Sequence, residues 1–171
     1  VTFQKEFDIS LEAIGFLISL NFGVQIVVDI IAAKVADKIG WRRLIVTAHI
    51  FTVIGLLCLG ILPSIMQNPY IGLIISVSIY AIGGGIIEVL ISPIVESLPG
   101  EEKASAMSLL HSFYCWGHVA VVILSTLYFI VFGRDSWYYL PIIWAMVPLF
   151  NAFLFSKVPM RQLVEECKQL P

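Results

Sequence analysis

The stretch YIGLIISVSIYAIGGGIIEVLIS, residues 70–92, carries a single charged side chain, Glu88, among its 23 residues. A helix of about 20 apolar residues can cross roughly 30 Å of membrane hydrocarbon, because each residue adds about 1.5 Å. An open sheet in the same place would leave backbone hydrogen-bonding groups unpaired in lipid. The stretch is therefore predicted to be a transmembrane helix.

Four more segments of the chain are comparably long and apolar. They cover residues 11–33, 44–62, 107–132 and 137–155. None shows the alternation over about ten residues that marks a strand of a membrane β-barrel. The predicted fold class is an all-α integral membrane protein, with a bundle of five transmembrane helices in residues 1–156 and a cytoplasmic linker in residues 157–171.

The overall composition excludes several functional classes. Hydrophobic residues make up 59% of the chain and charged residues 13%, with a mean hydropathy of +0.95, whereas soluble domains are about half apolar and a quarter charged. This composition does not fit a disordered chain, a nucleic-acid-binding protein or a cytosolic enzyme. Three widely spaced cysteines predict no metal site and no cofactor. The sequence has no nucleophile elbow or phosphate-binding loop, so no enzymatic activity is expected.

The placement of the basic residues predicts the orientation of the helices in a plasma membrane. Eight of the ten lysines and arginines lie between the first and second segments, between the third and fourth, or in the C-terminal tail; only Lys5 and Arg134 lie elsewhere. Cytoplasmic loops collect basic residues. The predicted cytoplasmic segments are 35–43, 98–105 and 157–171, and the predicted outward segments are 1–8, 63–69 and 133–136. An outward N-terminus also predicts one further helix ahead of Val1.

The connection between the first two segments is DKIGWRR, residues 37–43. A turn of about five residues would bring its charged side chains close together, and the glycine permits a tight reversal of the chain. Ordinary cytoplasmic positive charge is the alternative explanation for these residues.

The third segment combines three glycines, Gly83, Gly84 and Gly85, with Glu88 one turn further along. Glycine costs about 1 kcal/mol relative to alanine in a soluble helix, but in a membrane helix it allows a neighbouring backbone to approach closely. A carboxylate within a lipid-spanning helix costs about 2.5–3.5 kcal/mol on insertion scales. Glu88 is therefore predicted to face a cavity or a partner, with a structural hydrogen bond as the alternative. Pro93 is predicted to weaken the helix beyond it.

His111 lies about two turns into the fourth segment from its cytoplasmic end, at a depth comparable with that of Glu88. A short loop would make the third and fourth helices antiparallel neighbours, so the two side chains could meet. A carboxylate–imidazole pair of this kind could carry a proton. A lone histidine in a membrane helix is more often structural, and that alternative remains open for His111.

The first segment carries a row of polar side chains at i, i+4 and i+8, formed by Asn21, Gln25 and Asp29. This spacing aligns them along one face of a helix. Single amides of this kind usually hydrogen-bond between helices, whereas three polar groups in a row suit the wall of a water-filled cavity. Sugars are bound by such groups together with stacked aromatic rings, which Tyr114 and Trp116 could supply.

The loop order Asp-Lys-x-Gly-x-Arg-Arg resembles the cytoplasmic signature between the second and third helices of the major facilitator superfamily. Ala33 stands where the family has glycine, and Trp41 stands where it usually has a basic residue. In the family this loop latches the cytoplasmic side of the transporter. The resemblance therefore implies a cytoplasmic gate formed by Asp37, Lys38, Gly40, Arg42 and Arg43.

The Gly-Gly-Gly-x-x-Glu-x-x-x-Ser-Pro and Leu-Leu-His-Ser-Phe-Tyr-x-x-Gly runs resemble the fucose–proton symporter branch of this superfamily. That branch has a glutamate after a glycine patch in its fourth helix and a Leu-His stretch in its fifth. The resemblance implies that the chain supplies helices two to six of a twelve-helix transporter. The first helix and the C-terminal half would then be missing partners, and Glu88 would act in proton coupling.

The predicted function is secondary active transport of a small polar solute, most plausibly a sugar, by proton-coupled alternating access across the plasma membrane. The expected partners are the solute, protons and the lipid bilayer, and no nucleic acid. Two alternatives remain open. One is a non-transporting membrane scaffold or assembly protein, and the other is a facilitator that exports a non-sugar solute.

Overall fold

The structure, a computed structural model, describes residues 2–96 and 103–158. The described residues form six helices and no strand. These are α1 (Thr2–Phe7), α2 (Leu11–Ile39), α3 (Trp41–Ile65), α4 (Pro69–Glu96), α5 (Lys103–Phe132) and α6 (Tyr139–Lys157). The five helices α2 to α6 are each long and apolar enough to cross a membrane. The predicted all-α membrane fold with five spans is confirmed. Most of the predicted 98–105 connection and nearly all of the 157–171 linker lie outside the described residues.

Helices α2 to α4 extend beyond the apolar segments from which they were predicted, and the two turns between them are correspondingly shorter; α6 instead begins at Tyr139, two residues later than predicted. Helix α2 begins after Ser10, whose hydroxyl accepts a hydrogen bond from the Ala13 amide at 3.1 Å. It ends at Ile39, and Gly40 alone separates it from α3. The predicted turn of about five residues is therefore a single residue. Gly40 has a φ of 93°, a backbone conformation that residues other than glycine rarely adopt.

Helix α3 lies at the centre of the bundle. Its most extensive contacts are with α4 on one side and α6 on the other, and α4 in turn packs against α2. One buried cluster joins α2, α3 and α4 near the Gly40 turn, and a second joins α2 and α4 at the opposite end. Their fully packed members include Ile45 of α3 and Leu73 and Leu90 of α4.

Helix α5 differs from its neighbours because none of its residues is buried. Two hydrogen bonds join its C-terminal half to α6 and to the connection between the two helices. The Trp144 indole of α6 donates to the Ser125 hydroxyl at 3.1 Å, and the Tyr128 hydroxyl donates to the Ser136 carbonyl at 2.9 Å. Almost all of the apolar surface of α5 is left uncovered by the described part of the chain.

The short helix α1 lies at one end of the bundle, against the connection between α5 and α6. Phe3 and Phe7 meet the edge of Trp137, with ring centroids 5.3 and 5.5 Å apart. The N-terminal residues and the α5–α6 connection therefore share one end, and the Gly40 turn and the end of α6 share the other, where Arg42 contacts Val158. Which end faces the cytoplasm stays a prediction.

Candidate functional site

The polar row of α2 lies against the glycines of α4. Gln25 Nε2 lies 2.8 Å from the position that a Cβ would occupy at Gly84, and Asp29 Oδ1 lies 2.8 Å from the equivalent position at Gly85. Two features that the sequence suggested separately thus form one contact between parallel helices. We call the contact that Gln25 and Asp29 make with Gly84 and Gly85 the α2–α4 seam; Asn21 lies one turn before Gln25 on α2.

The remaining glycine of the run, Gly83, packs against a different helix, α3. A Cβ at Gly83 would lie 2.5 Å from the Ala48 carbonyl oxygen and 2.8 Å from the Thr52 amide nitrogen, both in the backbone of α3. Real Cβ atoms do not approach other atoms so closely, so the helices could not pack as they do with any side chain at this position. The glycine run therefore lets α4 approach α3 and α2 at once.

Two oxygens of the polar row are buried without a hydrogen-bond partner in residues 2–96 and 103–158. They are Asn21 Oδ1 and Asp29 Oδ1. Buried polar atoms are nearly always paired with protein groups or water. Both oxygens can therefore still accept a hydrogen bond from water or from a bound solute.

Glu88 is exposed, and no hydrogen bond or ion pair to it occurs within the described chain. It lies three residues after Gly85, on the same stripe of α4. The helix continues past Pro93 to Glu96 without a break, so the weakening predicted at Pro93 does not end it.

His111 is also exposed, on the first turns of α5, and no hydrogen bond or ion pair joins it to Glu88 in this conformation. Tyr114 and Trp116 are 69% and 71% exposed on the same helix. Since residues two apart on a helix differ by about 200°, these two rings project from opposite faces. Tyr114 instead groups with His118, with ring centroids 5.2 Å apart.

The Gly40 turn brings some of the predicted gate residues into contact and leaves others free. The Trp41 indole Nε1 donates to Asp37 Oδ1 at 3.2 Å, and Arg42 Nη2 donates to the Val158 carbonyl oxygen at 2.7 Å. Val158 caps the C-terminus of α6, where a cation is favoured by the helix dipole. Lys38 and Arg43 are exposed and have no side-chain partner in the described ranges.

Sequence reasoning missed two features of this arrangement. It treated Trp41 only as a departure from a motif, although its i+4 spacing from Asp37 could have indicated a side-chain contact. It also missed an apolar cavity of about 390 Å³ at the α1 end of the bundle. The residues lining the cavity include Phe3, Leu59, Phe129, Trp137 and Trp144.

Comparison with known protein families identifies the superfamily of the chain. The family model described as Major Facilitator Superfamily matches residues 1–165. The chain belongs to the major facilitator superfamily. No curated protein and no solved structure matches it. Members of this superfamily are multi-pass membrane transporters, and the five apolar helices agree with that class. The match confirms the predicted resemblance at the level of the superfamily. The fucose–proton symporter branch stays a prediction.

Proposed function

We propose that this superfamily member moves a small polar solute, a sugar, across the plasma membrane by alternating access and couples the movement to protons through Glu88. The observation that carries the proposal is the exposed position of Glu88. A carboxylate facing lipid in mid-membrane is unfavourable by several kcal/mol, so the exposed face of α4 at this point must line a polar space. A transport cavity is such a space.

The proposed binding groups lie around the same face of α4. The α2–α4 seam places amide and carboxylate groups beside Gly84 and Gly85, and such groups are the hydrogen-bonding partners that sugar hydroxyls require. His111 and Tyr114 lie one turn apart on α5, and both are exposed. In this proposal, these two side chains form one wall of the binding surface, and α2 forms the other wall with Asn21, Gln25 and Asp29. Trp116 projects from a different face of α5.

The exposed surface of α5 supports a larger assembly. A helix of 30 residues with none buried gains little packing energy from its neighbours, and membrane helices associate through close packing. We propose that the first helix and the C-terminal half of the transporter cover α5 and close the space in front of Glu88.

The experiment that tests the proposal is uptake into proteoliposomes by the full-length protein. A panel of labelled hexoses, pentoses, amino acids and cationic drugs is offered with and without an inward proton gradient. Accumulation of a sugar above equilibrium only with the gradient is expected. Gradient-independent equilibration of a sugar would contradict proton coupling. Accumulation of a drug or amino acid alone would contradict the sugar assignment, and transport of nothing in the panel would favour a scaffold.

A further inference from the structure

His49 is a buried histidine that the proposed function does not use. Its side chain is 4% exposed, whereas His111 and His118 on α5 are both exposed. The imidazole of His49 lies against the phenyl ring of Phe155 on α6, with ring centroids 5.3 Å apart. Phe155 in turn packs against the buried cluster that joins α2, α3 and α4. The histidine ring therefore forms part of the contact between α3 and α6.

This contact has a second part on the same faces of the two helices. Arg42 and His49 are seven residues apart on α3, and Phe155 and Val158 are three residues apart at the end of α6, so each pair shares one face. The Arg42 side chain donates to the Val158 carbonyl oxygen at 2.7 Å, and His49 meets Phe155 two turns deeper in the bundle. Loss of the deeper contact would loosen the two helices beside the Arg42 hydrogen bond.

The hydrogen bond of His49 determines which ring nitrogen carries the proton of the neutral imidazole. Nδ1 lies 2.8 Å from the Ile45 carbonyl oxygen on the same helix. A carbonyl oxygen can only accept, so Nδ1 is the donor. Nε2 then keeps its lone pair, and no hydrogen bond to it occurs among the described residues. A second proton would bind at Nε2 and make the ring a cation.

A cation at this position would have no counter-charge. A buried charge needs an opposite charge or water, and a phenyl ring attracts a cation only weakly in comparison with the hydration that burial removes. No ion pair joins His49 to another group in residues 2–96 and 103–158, and its one polar partner is the Ile45 carbonyl. The neutral ring is therefore the form that fits between α3 and α6.

The helices packed against α3 supply no acid to this ring. Among their acids, Asp29 of α2 lies against Gly85 of α4, and Tyr80 of α4 packs beside Gly55, six residues beyond His49 on α3. The remaining charged groups of these helices are all exposed: Glu12, Lys34, Asp37 and Lys38 of α2, Glu88 and Glu96 of α4, and Lys157 of α6.

We propose that His49 is a proton-sensitive latch between α3 and α6. The neutral imidazole, protonated at Nδ1 alone, packs against Phe155 and holds the Gly40 end of the two helices together. Transfer of a proton from water to Nε2 puts an unbalanced charge into the contact, and α3 and α6 separate at this end so that water can hydrate the imidazolium ion. The latch is closed at neutral pH and opens as the pH falls. The proposal depends on neither the identity of the solute nor the role of Glu88.

The first test is nitrogen-15 magnetic resonance of the full-length protein in lipid nanodiscs, with label in the histidine rings. The His49 signals, assigned by their loss in His49→Asn, should show a neutral ring protonated at Nδ1 at neutral pH and an imidazolium ion in acid. A ring that is charged at neutral pH, that is protonated at Nε2 alone, or that stays neutral throughout mild acid would overturn the proposal.

The second test measures the separation of α3 and α6 by pulsed electron resonance after the native cysteines have been replaced. Spin labels at the exposed positions Ile50 and Phe153 should move several ångströms apart over the pH interval in which His49 takes up its proton. His49→Phe keeps a ring against Phe155 but cannot bind a proton, so its distance should stay constant.

His118→Phe provides the matched control, because it removes an exposed histidine in the same way; it should keep the full response to acid. A constant distance in the otherwise unmodified protein, or an acid response that persists in His49→Phe, would overturn the latch. If His49→Phe does not fold, the requirement that the distance and the His49 signals change over the same pH interval still decides the question. Neither measurement depends on transport, so the proposed function is tested separately.

Discussion

At the scale of single residues, the glycines of α4 decide how close the helices can come. Gly83 faces the backbone of α3, and Gly84 and Gly85 face polar side chains of α2. Three adjacent glycines in a helix have a substantial cost in conformational entropy. The close packing of α4 against two neighbours at once accounts for their presence.

The Gly83→Ala substitution is expected to destabilise the bundle. Its Cβ would overlap the Ala48 carbonyl and the Thr52 amide, and neither backbone group can rotate away. Overpacking of this kind typically costs about 1–3 kcal/mol. Thermal unfolding in detergent, followed by loss of the monodisperse chromatographic peak, should occur several degrees lower than for the unmodified protein. Gly23→Ala has open space at its Cβ and should unfold at the original temperature or above it; equal effects of the two variants would contradict the packing argument.

At the scale of elements, the one-residue connection between α2 and α3 makes a tight corner. The Trp41 indole donates a hydrogen bond to Asp37 across Gly40, and Arg42 donates one to the carbonyl of Val158, the residue that caps α6. The corner therefore connects three helices at one end of the bundle. Such a connection can bias an equilibrium between conformations without touching the solute.

The Asp37→Asn variant is expected to slow solute turnover much more than it weakens solute affinity. The change removes a charge at the corner and alters the balance between conformations, while the α2–α4 seam is left intact. Equilibrium binding and uptake rates of the transported solute separate the two effects. Large loss of affinity at an unchanged rate of interconversion would contradict a gate at this position.

Arg42 provides a matched comparison with its neighbour at the same corner. Arg42→Gln removes the hydrogen bond to the Val158 carbonyl, whereas Arg43→Gln removes a side chain that has no partner in the described residues. Both variants lose one positive charge, so a purely electrostatic role predicts equal effects on uptake rate. We expect Arg42→Gln to slow uptake several-fold more than Arg43→Gln.

The sequence was sufficient to predict the five spans but not the contacts between them. Lipid requires helices wherever a long segment is apolar, and the rise per residue gives the depth of each side chain. The direction in which a side chain points depends on how each helix packs, which local pattern does not determine. For this reason Glu88 and His111 could be placed at similar depths from the sequence. That no hydrogen bond or ion pair joins them among the described residues, and that Asp29 lies against Gly85, emerged only from the structure.

At the scale of the whole molecule, the two ends of the bundle are distinct. The α1 end is aromatic and contains the apolar cavity beside Trp137, which is partly open. The Gly40 end is basic. The positive-inside rule predicts that the basic end faces the cytoplasm. In the proposed function, an inward proton gradient would then act from the α1 end towards the Gly40 end.

Single-cysteine labelling of intact cells tests that assignment after Cys58, Cys115 and Cys167 have been replaced. A membrane-impermeant maleimide should react with a cysteine at position 135, in the α5–α6 connection, and not with one at position 103, at the start of α5. The reverse pattern would contradict the predicted orientation. Permeabilised cells, in which both positions should react, provide the control.

The most direct test of the account compares Glu88→Gln with Glu96→Gln in proteoliposomes. Both acids are exposed on α4, but Glu96 is its last residue and Glu88 lies within the span. We expect Glu88→Gln to abolish uptake driven by a proton gradient while retaining counterflow of labelled sugar, because neutralising the carboxylate removes proton coupling but leaves exchange possible. Glu96→Gln should retain both activities. Full concentrative uptake by Glu88→Gln would contradict the central claim that Glu88 couples protons to solute movement.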